Sequence, residues 1–369
     1  MIVYLICYAA SWIFARFGLY YLSGAALFLA AGYLYVYDYR RSGNLIHLRG
    51  LFSCFWVGGQ GAACLKLSKL QTDWVLQTWI CFFLALVGFW ITFEVLDRLM
   101  GGNERFTMNR YRQRSTVRPL FFCIVGLTVI SAAAFVTEAA VLGFIPVLVR
   151  GVPHAYSAFH MTGLHYVTVS CVLIPAMTVL YFEQGGSWSG RKNGLIVLCA
   201  LVSISIPILC VSRFQLVFAV ILAVFTFCAS QKNVSPWLFV AAVVALIPCY
   251  VLLTAARSHD VTYLNGIFEM KNSRMPIFVS QPYIYIANNY ENFDCLVKAL
   301  PAHTWGIRML FPVWALTGLK FLYPYLVSFP IYVDKTELTT VTLIYDAYYD
   351  FGIIGVLVFA CILGAVCFF

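Results

Sequence analysis

The feature that most constrains this chain is its series of uncharged apolar runs, many of them long enough to cross a bilayer as a helix, which takes roughly 20 residues. Hydrophobic residues make up 62% of the 369 residues and charged residues 11%, whereas soluble domains carry about 25% charged residues. Lipid offers backbone groups no hydrogen-bond partners, so a spanning segment must be a helix or part of a closed barrel. The alternating pattern of a membrane barrel is absent. The sequence therefore predicts an all-α polytopic membrane protein.

The positively charged residues predict how the chain is oriented in the membrane. Lys and Arg cluster in short loops between apolar runs, above all in 37–49, 97–119 and 183–193. Such loops stay in the cytoplasm, so the formal net charge of +9 is explained without a nucleic-acid partner. With these loops inside, we expect about ten transmembrane helices and a cytoplasmic N-terminus. The predicted spans are residues 2–15, 17–37, 50–65, 74–96, 120–149, 160–182, 195–211, 214–230, 236–256 and 352–369.

The longest break in the apolar pattern lies between Arg257 and Asp346. This stretch is rich in aromatic residues, which disordered segments usually lack, so we expect it to fold outside the cytoplasm. Within it, residues 309–329 are amphipathic and either lie on the membrane surface or cross the membrane. The chain stops in apolar sequence, so either it is a fragment or a terminal piece is missing. The predicted domains are a transmembrane helical bundle (1–256), an extracytoplasmic loop domain with interfacial helices (257–346) and a final transmembrane helix (347–369).

Arg213 and Arg257 each close an outward-running span, so both should lie at the same exterior interface. Guanidinium groups bind phosphate oxygens through paired hydrogen bonds, and two of them at one depth suit a diphosphate. The alternative is that both are anchors that reach lipid headgroups. Two arginines on one face favour the functional interpretation.

The segment 282–294 has a composition suited to sugar binding. Aromatic faces stack on pyranose rings, and amides and carboxylates bind hydroxyl groups, so both belong in a pocket with apolar walls and a few placed polar groups. An interfacial aromatic belt would explain the tyrosines but not the dense Asn and acidic residues. The next candidates along the chain are His303 and Arg308. The candidate sugar-binding residues of the segment are Tyr283, Tyr285, Asn288, Asn289, Tyr290, Glu291, Asn292 and Asp294.

Glu138 is an ionisable residue inside an apolar run, where a charge is costly. It is therefore either functional or paired with Arg150 near the outer surface, and the sequence leaves both open. Three histidines, His154, His160 and His165, lie near the outer end of the next span. Their spacing does not place them on one helical face, which argues against a zinc site.

The sequence GGQG at 58–61 lies inside another apolar run. It lacks the Lys-Ser/Thr ending of a phosphate-binding loop. Small residues let helices approach closely in membranes. The segment therefore predicts a tight helix contact.

The late part of the chain resembles the Wzy-type oligosaccharide repeat-unit polymerases, membrane glycosyltransferases of bacterial capsule and O-antigen assembly. The resemblance rests on Arg213 and Arg257, on NNYENFD (288–294) and on the closing element TLIYDAYYDFGIIG (342–355). It is clearest over about 200–360 and vague in the N-terminal half. It implies a glycosyltransferase-C-like fold in the bacterial inner (plasma) membrane, with the active face outside the cytoplasm.

The resemblance also implies the reaction, an inverting transfer without metal or cofactor. The donor is a growing glycan on undecaprenyl diphosphate, the acceptor is the sugar end of a new lipid-linked repeat unit, and a chain-length regulator is a further partner. Arg213 and Arg257 match the diphosphate-binding arginines best, with Arg308 as a third. For the base, the order of candidates is His303, then Asp294, Glu291 and His259. Tyr345 and Asp350 join the candidate substrate-binding residues, although Asp346 or Asp350 could instead orient the loop.

Three alternatives to a polymerase stay open. The first is a structural or scaffolding membrane protein, whose loop would need no paired arginines. A ligase that moves finished glycan to another acceptor shares the same features. A flippase or transporter of lipid-linked oligosaccharide should carry polar residues near the middle of its spans, whereas this chain concentrates its polar residues on one side. The sequence thus favours a transferase.

Overall fold

The computed structural model describes residues 1–100, 117–149, 158–185, 190–230 and 261–369, together with single positions between 237 and 248. Across these residues the chain is helical, and the one strand-like pairing is an isolated antiparallel bridge between Ser68 and Met270. The all-α prediction is confirmed.

Six helices within the described ranges are long and apolar enough to cross a membrane. A multi-pass membrane protein follows from them, while the predicted count of about ten spans stays a prediction. The span at 236–256 lies largely outside the described residues. The six helices are α4 (Leu76–Leu99), α5 (Val117–Leu142), α6 (Leu164–Glu183), α7 (Arg191–Leu209), α8 (Arg213–Ser230) and α13 (Tyr345–Phe368).

The chain packs as two units, one made of Met1–Glu104 with Val261–Phe369 and the other of Arg105–Asp260. The first unit therefore combines the two ends of the sequence. The predicted domain ranges concern position relative to a membrane, which packing does not test, and they stay a prediction. The remaining helices of the first unit are α1 (Ile2–Arg16), α2 (Tyr20–Ser42), α3 (Leu48–Cys64), α9 (Val261–Ile267), α10 (Ile277–Ala299), α11 (Phe311–Leu316) and α12 (Leu319–Leu322).

Glycines bring the helices of the first unit together. A Cβ on Gly24 of α2 would lie 2.8 Å from the carbonyl oxygen of Gly61 on α3, and a Cβ on Gly364 of α13 would lie 2.7 Å from that of Phe89 on α4. Gly59 faces the Tyr290 ring of α10 just as closely. The predicted tight helix contact at 58–61 is confirmed.

The α13 helix has the two faces expected of a membrane helix at a bundle edge. Its apolar residues at every fourth position from Ile354 are exposed, and its opposite face packs on α4. Exposing such a row of apolar groups to water costs free energy, whereas exposing it to lipid does not. The exposed row is Ile354, Val358, Ile362 and Val366.

An ion-pair cluster joins α2, α3 and α4 near the short connection 43–47 between α2 and α3. Arg49 donates to Asp38 Oδ1 at 2.6 Å and to Glu94 Oε2 at 2.9 Å. Its guanidinium also lies 4.4 Å from the centre of the Trp90 ring. The Arg49 and Asp38 side chains are 3% and 0% exposed, so both charges depend on each other for compensation.

Residues 309–329 do not form one continuous helix. They contain α11, α12 and a 3₁₀ turn at Pro324–Leu326. The longest, α11, has six residues and covers only about 9 Å at 1.5 Å per residue, far less than the ~30 Å of a bilayer core. None of the three is long enough to cross a membrane.

In the second unit, α5, α6, α7 and α8 pack around a core that includes Ile124, Ile174 and Ile196. A 3₁₀ turn at Ser170–Leu173 interrupts α6 just before Pro175. Proline lacks an N–H and its ring clashes with the preceding turn of an α-helix, which explains the local change of helix type.

Candidate functional site

Four of the predicted site residues of the first unit, His303, Arg308, Tyr345 and Asp350, meet where the loop 301–310 lies on the start of α13. This helix is broken at Gly352, whose φ of 62° and ψ of −146° are not helical. A Cβ at this position would lie 2.9 Å from His303 Nε2. Only glycine combines a positive φ with this close approach, so the break makes room for the loop.

Asp350 fixes the loop to the helix. Its buried carboxylate accepts hydrogen bonds from the Thr304 hydroxyl, from the Arg308 backbone N–H at 3.2 Å and from that of Met309 at 2.7 Å. Three donors compensate the burial of the charge. The structure thus supports the alternative that Asp350 orients the loop.

Arg308 lies over the aromatic rings of α13. Its guanidinium carbon is 4.6 Å from the centre of the Tyr349 ring and 5.2 Å from that of Tyr345, and its Nε donates to Asp346 at 2.5 Å. The Arg308 side chain is 14% exposed, whereas that of Asp346 is 52% exposed. The result is a cation held on two aromatic faces beside an accessible carboxylate.

His303 is partly buried in the same cluster. Its Nδ1 lies 3.3 Å from the Tyr349 carbonyl oxygen, and its ring packs edge-on against Tyr348. An Nδ1–H donated to that carbonyl leaves Nε2 facing Gly352. This contact holds the loop in place and leaves Nε2 poorly placed to act as a base.

The segment predicted to bind sugar is part of α10, and most of its polar side chains face inward. Glu291 accepts from Lys66 Nζ at 2.7 Å, Trp74 Nε1 at 2.8 Å and the Thr72 N–H at 3.1 Å. Burial raises the pKa of Glu291 to about 7, with Lys66 opposing the increase. Glu291 therefore anchors the connection between α3 and α4.

Its neighbours on α10 also form hydrogen bonds to other parts of the first unit. Asp294 accepts from Thr78 Oγ1 at 2.6 Å and from the Val75 N–H at 3.0 Å. Tyr290 donates to the Trp56 carbonyl at 2.9 Å, and Asn288 donates to that of Leu338 at 3.1 Å. The helical period thus turns these groups toward the protein.

Two of the predicted sugar-binding residues stay on the outer side of α10. Tyr285 is 50% exposed. Asn289 is partly buried and donates to the Tyr285 carbonyl oxygen at 2.8 Å. Of the segment 282–294, this pair is the part best placed to meet a ligand.

In the second unit, Arg213 is the first residue of α8 and is 7% exposed. It follows a tight turn in which Val211 has a φ of 54° and Ser212 N–H donates to the Pro207 carbonyl at 2.8 Å. Arg257 and His259 lie outside the described residues. The predicted pairing of Arg213 with Arg257 therefore stays a prediction.

The second unit also contains a buried acid–histidine pair that the sequence did not identify. Glu138 is 0% exposed, and both of its carboxylate oxygens lie 3.2 Å from His165 Nδ1. The predicted alternative partner, Arg150, lies outside the described residues. The two residues of the pair are too far apart in sequence for a helical period to reveal the contact.

Comparison with family models, with curated proteins and with solved structures found no match to this chain. The resemblance to the Wzy-type polymerases therefore rests on the short motifs alone.

Proposed function

We propose that the chain is an extracytoplasmic glycosyltransferase that polymerises undecaprenyl-diphosphate-linked oligosaccharide repeat units. The observation that carries the proposal is the cluster of Arg308, Tyr345, Tyr349 and Asp346 on the broken start of α13. Aromatic faces with a few placed polar groups suit sugar rings. Their position at the end of an apolar helix suits a substrate anchored in lipid.

The charges in this cluster indicate which part of the substrate it binds. Asp346 already compensates Arg308 at 2.5 Å, so a diphosphate would have to compete with a carboxylate for the same guanidinium. A neutral sugar can bind the exposed Asp346 oxygen and stack on aromatic rings without that competition. We therefore assign the cluster to the glycan and not to the diphosphate.

Arg213 is the candidate for the diphosphate, with Arg257 as its predicted partner. Positive charge placed where the leaving group develops its charge lowers the barrier to transfer. The proposed reaction is an inverting block transfer in the bacterial plasma membrane, driven by the lipid-linked donor alone. A chain-length regulator is the proposed protein partner.

Reconstitution in liposomes tests the proposal. The purified protein receives labelled undecaprenyl-diphosphate oligosaccharide without nucleotide sugar or added metal, and the products are separated by size. We expect a ladder of longer lipid-linked glycans, lost in Arg213→Ala and produced with a raised KM in Arg308→Ala. Arg274→Ala is the matched control for Arg308→Ala, because Arg274 is an exposed arginine that also belongs to the first unit.

Other outcomes would refute a polymerase. If no ladder forms and the labelled lipid changes leaflet, the protein is a transporter. If the glycan is moved once, to a different acceptor added to the liposomes, it is a ligase. A ladder of equal size from wild type and Arg213→Ala would remove Arg213 from the mechanism.

A further inference from the structure

The starting observation is a carboxylate buried inside an apolar helix. Glu138 lies on α5, a candidate membrane span, and is 0% exposed. It accepts hydrogen bonds from Thr168 Oγ1 at 2.8 Å and from the Met161 N–H at 3.2 Å. These two donors compensate part of the cost of burying the polar oxygens. The helix thus holds a buried carboxylate next to an imidazole.

That carboxylate determines how His165 presents its ring. With both Glu138 oxygens 3.2 Å from Nδ1, the ring proton is held on Nδ1. The other nitrogen, Nε2, then carries the lone pair and is the one able to accept a proton. The His165 side chain is 22% exposed, so the pair connects a buried anion to the protein surface.

The pair and Arg213 lie at the same end of the second unit. Val211, two residues before Arg213, belongs to a small apolar cluster that also includes Val147, which follows α5 in the chain. Cys210 lies within electrostatic range of the Glu138 carboxylate. The start of α8 is therefore close to the end of α5 that holds Glu138.

We propose that His165 is the general base of the transfer reaction and that Glu138 is its positioning residue. This inference rests on the proposed function. The acceptor hydroxyl oxygen bonds to the anomeric carbon of the donor, and its proton passes to His165 Nε2. The bond from that carbon to the diphosphate oxygen breaks, and the electron pair leaves with the diphosphate. The imidazolium is stabilised by Glu138 and returns its proton to water.

The groups around the pair define what a pH profile will report. The His160 ring stacks on His165 with 5.1 Å between centres, and Cys210 interacts electrostatically with the Glu138 carboxylate and with Cys171. In the described part of the second unit, these are the titratable side chains around the pair. His160→Asn is therefore the control that removes a neighbouring imidazole and leaves the pair intact.

The decisive variant is Glu138→Gln, which has nearly the same shape. Its amide oxygen can take the place of Oε1 and keep the hydrogen bond from the Met161 N–H. Its NH₂ then takes the place of Oε2, where it faces the Thr168 hydroxyl and donates to His165 Nδ1, so the ring proton moves to Nε2. We expect kcat to fall by on the order of 10²-fold or more, the usual contribution of general acid–base catalysis, with KM unchanged. Glu138→Asp should recover part of kcat, and exogenous imidazole should partly rescue His165→Ala.

Thr168→Val separates this role from a structural one, because it removes one hydrogen bond to Glu138 without changing the tautomer of His165. If Thr168→Val and Glu138→Gln lose activity in proportion to lost thermal stability, the pair is only a structural contact and the proposal is wrong. Nitrogen NMR of histidine-labelled protein gives a second readout. We expect the Nδ1–H tautomer of His165 in wild type and the Nε2–H tautomer in Glu138→Gln. The Nε2–H form in wild type would overturn the proposal.

The proposed function and the role of the Glu138–His165 pair can be refuted separately. An active wild type whose Glu138→Gln variant is equally active and keeps the same pH profile refutes the role of the pair alone. A wild type that forms no ladder refutes the proposed function, and the role of base with it.

Discussion

The ion-pair cluster in the first unit makes a quantitative prediction about stability. Arg49 and Asp38 are 3% and 0% exposed and lie 2.6 Å apart. Removing one partner of a buried pair leaves an uncompensated charge, which costs about 3–5 kcal/mol. Arg49→Met should therefore lower the free energy of unfolding by about that amount, with a further ~1 kcal/mol from the lost contact with the Trp90 ring.

The double variant Asp38→Leu with Arg49→Met removes both charges. Apolar side chains of similar volume are often neutral or stabilising in place of a buried pair. We therefore expect most of the loss to be recovered, giving a coupling energy of about 3 kcal/mol or more between the two positions. Unfolding of the purified protein in mixed micelles with increasing SDS measures all three variants.

Arg40→Met is the matched control, since Arg40 is an exposed arginine on the same helix as Asp38. A surface substitution of this kind should change the free energy of unfolding by about 0.5 kcal/mol or less. If the double variant is as unstable as the sum of the two single variants, the charges are not coupled and the reasoning is wrong.

Three further predictions concern single positions of the first unit. Gly59→Ala places a Cβ against the Tyr290 ring and should lower the free energy of unfolding by about 1–3 kcal/mol. Gly32→Ala, whose Cβ would meet nothing within 4 Å, should raise it by up to ~1 kcal/mol. Unfolding in SDS compares the two variants. The pKa of Glu291 is about 7 in the folded state, against an ordinary value of 4.5. Between these two pH values the folded state therefore binds more protons than the unfolded state. The free energy of unfolding should then fall as the pH rises from about 4.5 to about 7, by on the order of 3 kcal/mol. Unfolding titrations across this range check it, and Glu291→Gln should remove the dependence; a flat wild-type profile would contradict the cause given for the pKa. Gly352→Ala combines backbone strain at a φ of 62° with a clash at His303. It should therefore loosen the loop 301–310 and let a protease cleave it. If the variant resists the protease as well as wild type does, the loop does not depend on the helix break at Gly352.

The small residues at 58–61 predicted the tight helix contact there, and hydropathy was sufficient to predict the helical membrane class. It was not sufficient to interpret the segment 282–294. Read as a loop, its acids and amides suggested a sugar site; folded as α10, they follow a helical period and face inward. What the sequence could not show is that Glu291 meets Lys66, because that contact joins distant parts of the chain.

The sequence likewise predicted one part of the candidate site and missed another. Several residues singled out from the sequence do come together. Tyr345 and Asp350 belong to the closing motif, and the loop that carries His303 and Arg308 packs on it. The Glu138–His165 pair was missed, since a lone acid in one span and a histidine near the next give no shared pattern. Only packing shows that they are neighbours.

The discontinuity of the first unit has a consequence for how the protein is made. Its N-terminal helices emerge from the ribosome first, but their partners α10 and α13 follow only after the whole of the second unit. At about 5–20 residues per second, the ribosome needs on the order of 10 s to synthesise what lies between. Throughout that time Lys66 lacks its acid, and Gly59 lacks the tyrosine that fills its groove. The early helices therefore stay partly assembled in the membrane until α10 is synthesised. During this interval they are most accessible to quality-control proteases.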